Sequence, residues 1–259
     1  MSRTAVISDI HANYHALCAV MGDAFDVEHC TNVVCVGDIV GYNAYPRECL
    51  DYIRMLNCPV VKGNHDEEVV DPSYAKMNPM ARAAMEWTRQ QLDADQLAWL
   101  SRLQHLRIVR NCGTCQSSFT IVHSTLDNPK AWSYIINAND AAGSFNRQVT
   151  QFCFNGHTHV PKVYMWNGRS AGEDYDAQHE LIMNGYAEVQ PIAGYKYCIN
   201  VGSVGQPRDN DPRSCYAVYD SDSNIVILKR VEYDVAAAQA AIIQAELPES
   251  LAERLARGC

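Results

Sequence analysis

The chain has 259 residues, of which 47% are hydrophobic and 20% charged, and its formal net charge is −9 at pH 7. This composition is ordinary for a folded globular protein and excludes disordered, collagen-like and coiled-coil proteins. The acidic balance argues against a protein that coats nucleic acid, although a bound metal could still attract an anionic substrate. The length allows one large domain or two smaller ones, and we predict a single domain over residues 1–259.

The sequence carries no sign of a membrane segment, because no run of about 18 apolar residues occurs in it. The N-terminus leads directly into the short apolar run Ala5–Ile7 and lacks the pattern of a signal peptide. The 11 cysteines are scattered, which is typical of a reduced, cytoplasmic protein. Cys112 and Cys115 have C-x-x-C spacing, but no second ligand pair accompanies them, so we interpret them as part of a turn.

The first part of the chain alternates predicted strands and helices. Strands are predicted at Thr4–Ser8, Asn32–Val36 and Val60–Val61, and helices at Tyr14–Phe25 and Pro46–Leu56. This β-α-β-α-β order predicts a parallel sheet with helices on its faces. Ligands of such sheets bind at the carboxyl ends of the strands.

The rest of the chain is predicted to be mostly strands. A helical stretch covers Met80–Leu103, with Asp93 as the N-cap of its second half. Short helices are expected within 130–148, and the tail Val235–Arg257 is predicted to be helical with a break near Pro248. Further strands are predicted over residues 106–110, 118–123, 151–155, 162–166, 196–201, 215–219 and 224–232. This pattern favours an α/β protein with two sheets packed face to face and helices outside.

Polar side chains collect at the ends of the predicted strands. They fall in five segments: Asp9-Ile10-His11, Gly37-Asp38, Gly63-Asn64-His65-Asp66, His123 and Gly156-His157-Thr158-His159. Taken singly, each aspartate is explained by an N-cap and each histidine by a hydrogen-bonded imidazole. Taken together, these oxygen and nitrogen donors are typical of a site for Mn²⁺, Fe²⁺, Co²⁺, Ni²⁺ or Zn²⁺.

The spacing within these segments predicts a site for two metal ions. On an extended segment, residues two apart share one face, so Asp9 should point with His11, and His157 with His159. Two ions about 3.5–4 Å apart need a shared ligand, and a carboxylate such as Asp38 can provide it. The ions carry more positive charge than the two aspartates and a hydroxide cancel, so the site would attract phosphate.

This ordered set of motifs resembles the calcineurin-like metallophosphoesterase superfamily, and more narrowly its small single-domain bacterial and archaeal phosphodiesterases. The segment Asn200–Arg208 and the tail Leu247–Ala256 also look like that subgroup. The resemblance implies a four-layer α-β-β-α sandwich and a centre of two divalent metal ions. Manganese is the expected metal, with iron, zinc, cobalt and nickel as alternatives.

The resemblance also implies a role for each motif residue. The implied metal ligands are Asp9, His11 and His159 for one ion, Asn64, His123 and His157 for the other, and Asp38 as the bridge. His65 matches a non-ligand histidine that contacts the phosphate and protonates the leaving oxygen. Asn64 and His65 are therefore also expected to contact the substrate.

Two further residues have alternative interpretations. Asp66 could hydrogen-bond to His65 and fix its tautomer as part of the catalytic group, or it could cap the loop. Arg208 could contact the phosphate of the substrate, for which arginine is well suited, or it could form a surface ion pair.

Two departures from other branches of the superfamily narrow the prediction. Its protein Ser/Thr phosphatases carry a phosphate-binding arginine in a G-D-x-V-D-R-G pattern, and the run Gly37–Asn43 lacks this arginine. Its purple acid phosphatases have a tyrosine ligand three residues after the second aspartate, where Gly41 stands in this sequence.

We therefore predict a metal-dependent phosphodiesterase that uses a bridging hydroxide on a small phosphorylated substrate. A phosphomonoesterase or a dinucleoside-polyphosphate hydrolase would use the same residues, and the acidic charge disfavours a nuclease. The alternative of another class is a non-catalytic interaction scaffold, but such relatives lose the histidine that is present here as His65. The polar loop Gly168–Glu180 is interpreted as a hairpin tip, with a lid or a partner contact as alternatives. This loop and the C-terminal helices are the candidate interfaces of a homo-oligomer.

Overall fold

The computed structural model describes residues 3–73, 78–110, 118–169, 173–175 and 177–259, so Cys112 and Cys115 lie outside the described residues. The strands are β1 (Arg3–Ile7), β2 (Asn32–Cys35), β3 (Leu106–Arg110), β4 (Ser118–Val122), β5 (Phe152–Asn155), β6 (Lys162–Trp166), β7 (Glu173–Tyr175), β8 (Tyr186–Val189), β9 (Lys196–Asn200), β10 (Ser214–Asp220) and β11 (Ile225–Val231).

The helices surround these strands. They are α1 (Tyr14–Gly22), α2 (Pro46–Leu56), α3 (Asn64–Val70), α4 (Pro79–Gln91), α5 (Ala94–Ser101), α6 (Ala142–Arg147), α7 (Ala177–Asn184), α8 (Val235–Gln244) and α9 (Glu249–Arg257). A π-helical turn at Asp23–Val27 continues α1, and a 3₁₀ turn lies at Pro129–Ala131. Among the described residues, no helix combines the length and the apolar character that crossing a membrane would require.

The strands form two mixed sheets. One sheet has five strands in the order β2-β1-β10-β11-β8, and the other has six in the order β3-β4-β5-β9-β6-β7. β1 and β2 are parallel neighbours in the first sheet, and β4, β5 and β9 are parallel neighbours in the second. The carboxyl ends of these strands therefore lie together at one end of each sheet.

Side chains of β1 show how the layers pack. Val6 lies in the apolar cluster between the sheets together with Phe154 of the other sheet. Its neighbour Ile7 points the opposite way and packs with Leu17 of α1 and Leu50 of α2. This alternation follows from the two-residue period of a strand. A further cluster joins β6 and β9 to α6 on the outside of the second sheet, and the predicted α-β-β-α sandwich is confirmed.

Most predicted elements are present, and their bounds differ by a few residues. The bounds of α2, β3 and β6 are those predicted, and the carboxylate of Asp93 accepts a hydrogen bond from the backbone N–H of Gln96 as the N-cap of α5. The strand expected at Val60–Val61 is wrong, because these two residues make only isolated bridges. The segment is too short to form a ladder before α3 begins at Asn64.

The sequence patterns missed α3, α7, β7 and β8. Within the polar segment Gly168–Glu180, the described residues include β7, which pairs antiparallel with β6. An edge strand is bonded on one side only, so a short polar segment can occupy that position. Residues 170–172 and 176 lie outside the described ranges.

Candidate metal centre

The predicted ligands gather where strands of both sheets end. Asp9 and His11 follow β1, Asp38 follows β2, Asn64 begins α3, His123 follows β4, and His157 and His159 follow β5. Asn64 is half-buried, and the other six side chains are buried. The packing of the two sheets thus places residues up to 150 positions apart in sequence in one buried pocket.

Two groups of potential ligands share one carboxylate. Asp9, His11, Asp38 and His159 form one group and Asp38, His123 and His157 the other, and within each the ligand atoms lie within 4.8 Å of one another. Asp38 Oδ2 lies 3.5 Å from His11 Nε2 and 3.3 Å from His123 Nε2. Asn64 adds its Oδ1 atom 3.2 Å from His123 Nε2. Asp38 therefore lies at the position expected of a shared ligand.

The backbone of this site is strained at five of the seven residues. Positive φ angles occur at Asp9 (53°), His11 (48°), Asp38 (52°), His157 (71°) and His159 (61°). Residues other than glycine rarely adopt this region of backbone angles, and such strain clusters at functional sites. The expectation that D-x-H and H-x-H segments are extended is therefore wrong. Their side chains converge because the chain turns in a left-handed conformation after each strand.

Backbone carbonyls fix the tautomers of His11 and His159. The Nδ1–H of His11 donates to the carbonyl of Val40, and that of His159 donates to the carbonyl of Gln206. Each Nε2 therefore carries a lone pair, and the two Nε2 atoms face each other at 3.1 Å. Burial lowers the pKa of both rings, so both remain neutral at pH 7.

Two buried lone pairs in contact cannot hydrogen-bond to each other, and a cation bound by both nitrogens would remove this repulsion. His123 is held in the same way, because its Nδ1 donates to the carbonyl of Val36. His157 is held in the opposite sense, since its Nε2 donates to the carbonyl of Trp132 and leaves Nδ1 for a ligand. The donor set and its supporting hydrogen bonds therefore fit divalent metal ions.

The carboxylates are oriented by donors on their far oxygens. Asp9 Oδ2 accepts hydrogen bonds from Ser8 Oγ at 2.6 Å and from the backbone N–H of His157 at 3.0 Å. Asp38 Oδ1 accepts a hydrogen bond from the backbone N–H of His65 at 2.8 Å. A Cβ atom at Gly63 would lie only 2.0 Å from this Oδ1, so the position requires glycine. These contacts leave the other carboxylate oxygen of each aspartate directed at the histidines.

Charge in the metal-free site is divided between the aspartates and His123. Burial acts to raise the pKa of Asp9 and Asp38, but nearby histidines, His159 for Asp9 and His123 for Asp38, lower both below the ordinary value. Burial opposes protonation of His123, but the charges of Asp38 and Asp9 raise its pKa to about 9. Burial lowers the pKa of His157 to about 3. His123 therefore carries a proton that offsets one of the two carboxylate charges.

His65 lies beside the predicted ligands but belongs to neither of the two ligand groups. Burial lowers its pKa to about 4, against the opposing charge of Asp38. Its Nδ1 is buried and has no hydrogen-bond partner among the residues that the structure describes. A Cβ atom at Gly41, where φ is 95°, would lie 2.6 Å from this Nδ1. The glycine that replaces the tyrosine ligand of purple acid phosphatases thus leaves room for the His65 ring.

Of the two interpretations of Asp66, the hydrogen bond to His65 is wrong. Asp66 Oδ2 accepts hydrogen bonds from the backbone N–H groups of Asp38 and Gly63, and its Oδ1 accepts one from Ile39. Burial and the charge of Asp38 raise the pKa of Asp66 to about 7, although these donors oppose the shift. The alternative interpretation as a loop cap is therefore correct, and Asp66 positions the loop that carries Asp38.

Two arginines reach the pocket above the ligands. This metal pocket has a volume of about 220 Å³, and its lining includes Asp38, His65, His159, Arg208 and Arg254. Each guanidinium lies 5.8 Å from the ring centroid of Tyr42, a tyrosine that also lines the pocket. Arg208 Nη2 donates to Gln206 Oε1 at 3.0 Å, and its Nε has no partner within the described part of the chain.

Sequence reasoning missed several residues of this pocket. Tyr42, Tyr134 and Arg254 line it, and Trp132 holds His157 through its backbone carbonyl. Arg254 belongs to α9, within the tail Leu247–Ala256 that resembles the phosphodiesterase subgroup. No residue of that tail was assigned to the site, because its spacing is that of an ordinary amphipathic helix.

Comparison with known proteins identifies the family. The model of the calcineurin-like phosphoesterase superfamily domain matches residues 3–224. An uncharacterized protein of Methanocaldococcus jannaschii is 36% identical over 258 residues, which cover 99% of this chain and 98% of the relative. The chain therefore belongs to the calcineurin-like phosphoesterase superfamily, as the motifs predicted.

Solved structures show the same relationship. A crystal structure of a metallophosphoesterase from Sphaerobacter thermophilus is 39% identical with a TM-score of 0.83, and the match covers 99% of this chain and 100% of that chain. A crystal structure of a hypothetical protein from Pyrococcus horikoshii OT3 shares the fold at 18% identity, with a TM-score of 0.78 over 100% of this chain and 99% of that chain.

Metal binding should release a proton from His123. In the metal-free protein its pKa of about 9 lies above the ordinary 6.5, so a proton competes with the metal below pH 9. The affinity for Mn²⁺ should therefore rise about tenfold from pH 7 to pH 8. Calorimetric titrations in buffers of different ionisation enthalpy should detect about one proton released per chain at pH 7. His123→Asn should release none, and binding heats that are independent of the buffer would contradict this assignment.

Proposed function

We propose that the protein is a metal-dependent phosphodiesterase that holds two divalent ions and hydrolyses a small phosphate diester. The observation that supports this most strongly is the presence of Asp38 in both groups of ligands. One ion would be held by Asp9, His11, Asp38 and His159, and the other by Asp38, Asn64, His123 and His157. When bound, two such ions supply hydroxide near neutral pH and positive charge against the charge that develops on phosphate.

The charge of this donor set favours an anionic substrate. Asp9 and Asp38 are the only carboxylates among the proposed ligands, and the amide and imidazole ligands are neutral when they bind metal. Two divalent ions therefore leave the pocket positive, although the chain has a net charge of −9. Manganese is our first choice of metal, and iron, zinc, cobalt and nickel suit the same donors.

In this proposal His65 handles the proton of the leaving group. With Nδ1 packed against Gly41, Nε2 is the ring nitrogen available to the substrate. Burial holds the pKa of His65 at about 4, and a phosphate anion beside the ring would raise it. The protonated ring would then donate to the leaving oxygen as it departs.

Arg208 and Arg254 are proposed to bind the non-bridging oxygens of the phosphate. Both guanidiniums line the metal pocket, and Tyr42 holds them beside it. The planar fork of arginine matches two phosphate oxygens at once. The buried Nε of Arg208 has no partner among the described residues, so its N–H can donate to a further acceptor.

The surroundings of the pocket support a diester rather than a monoester. One neighbouring cleft of about 400 Å³ shares Tyr134 and Arg208 with the metal pocket. Another of about 540 Å³ shares Asn64, Tyr134 and His157 with it. A diester carries two ester groups, and two clefts that meet the phosphate position provide room for both.

The charge of the larger cleft disfavours a polyanionic substrate. Among the described residues, its lining includes Glu67, Glu68 and Asp71 against the single cation Lys130. A polyphosphate chain or a nucleic-acid backbone that entered here would meet repulsion. A small diester with one phosphate avoids it, so we prefer this substrate class to dinucleoside polyphosphates and nucleic acid.

Turnover of bis(p-nitrophenyl) phosphate tests the proposal. Protein stripped with a chelator should be inactive, and refilling with Mn²⁺ should restore cleavage, because the ligands cannot supply the nucleophile themselves. p-Nitrophenyl phosphate, assayed beside it, should be the poorer substrate. A preference for the monoester would replace the diesterase by a monoesterase, and no turnover of either ester by the Mn²⁺-loaded protein would contradict the proposal.

His65→Asn should lower kcat by about 10²–10⁴-fold, because a general acid contributes about this factor. The Mn²⁺ content should stay that of the unmodified protein, since His65 is outside both ligand groups. His29→Asn is the matched control, because His29 is exposed and its positive φ of 53° suits asparagine. Unchanged turnover in His65→Asn would remove this residue from the mechanism.

A further inference from the structure

An apolar cleft adjoins the metal pocket. We call it the Tyr134 cleft, and its walls are formed mainly by Tyr134, Ile135, Ile136, Val160, Tyr164 and Arg208. Its volume of about 400 Å³ lies within the usual range of about 300–1,000 Å³ for small-molecule sites. The proposed function places one ester group of the substrate in this space but does not define the chemistry of that group.

The Tyr134 cleft is continuous with the metal pocket. Tyr134 and Arg208 line both spaces. The ring of Tyr134 stacks on that of His157, with centroids 4.4 Å apart and planes inclined by 19°. An ester group that leaves the phosphate past Tyr134 therefore enters this cleft directly.

The walls of the cleft suit a flat ring that carries no positive charge. Tyr134 and Ile136 are 50% and 66% exposed, so two large apolar side chains of the cleft wall are open to a ligand. A planar aromatic ring would cover both and could stack on the tyrosine. Thr158 and Lys162 add polar groups to the lining, and no acidic side chain lies among the described residues that form it. The larger cleft, with its three carboxylates, differs in this respect.

We propose that the Tyr134 cleft binds a planar aromatic ring carried by one ester group of the substrate, as in an aryl or a nucleoside phosphodiester. This inference rests on the proposed function, because it places the phosphate in the metal pocket. The ring lies against Tyr134 and Ile136, and Arg208 contacts the phosphate at the junction of the two spaces. The cleft thereby selects the substrate class without taking part in the chemistry.

Direct binding tests this separately from turnover. Calorimetry on Mn²⁺-loaded protein compares methyl phosphate, phenyl phosphate and thymidine 5′-monophosphate. They share the phosphate and differ in the group attached to it, which is a methyl group, a phenyl ring or a nucleoside. At least one ring-bearing ester should bind about tenfold more tightly than methyl phosphate, through stacking and apolar burial. Tighter binding of both phenyl phosphate and the nucleotide would indicate that the cleft takes any aromatic ring. Tighter binding of the nucleotide alone would indicate that it takes a nucleoside.

Ile136→Asp should remove this preference, because it places a charge on the apolar wall. Val149→Asp is the matched control, since Val149 is 78% exposed and lies outside the cleft lining. Equal affinity for all three esters, or a preference that survives Ile136→Asp, would overturn the inference. If the protein hydrolyses the diester but binds all three esters equally well, the proposed function stands and the inference about the cleft fails. If it binds the ring-bearing esters more tightly but hydrolyses no diester, the proposed function fails and the ring site in the cleft stands.

Discussion

The contact between the Nε2 atoms of His11 and His159, 3.1 Å apart in a buried pocket, is the constraint that organises this molecule. Backbone carbonyls hold both rings in the tautomer that directs lone pairs at each other, so the arrangement is unfavourable until a cation relieves it. The left-handed backbone at both residues adds to this cost. A protein that keeps such a site must gain function from it, and the proposed metal binding would provide that gain.

The sandwich supports this strained site from both sides. The sheets pack through an apolar layer in which Val6 and Phe154 take part, and each of these residues lies on a strand that ends at the site. The layer fixes the spacing of the two sheets, and the strand ends then carry the ligand atoms of each group to within 4.8 Å of one another. Asp66 completes this support, because its carboxylate bonds three backbone N–H groups and joins the loop after β2 to the start of α3.

The ligands of the site could be predicted from sequence, because each one follows a strand or begins a helix at the same end of the sheets. Buried strands followed by Asp, Asn and His indicate ligands at a common sheet end, and the structure brings all seven predicted ligands there. The D-x-H geometry could not be predicted, because positive φ at Asp9 and His11 follows from the tertiary contacts of the turn. The role of Asp66 was ambiguous, because an aspartate directly after His65 fits both a loop cap and a partner of the histidine. Arg254 lies in the tail that resembles the subgroup, but its place in the pocket could not be predicted, since only the packing of α9 brings it there.

The number of metal ions held by the chain tests the central claim most directly. Equilibrium dialysis against Mn²⁺ followed by elemental analysis should give about two ions per chain, since Asp38 serves two groups of ligands. Asp38→Asn should weaken both sites by at least about tenfold, because the shared carboxylate is lost from each. A single ion in the unmodified chain, or two ions bound with unchanged affinity by Asp38→Asn, would contradict a shared, two-metal centre.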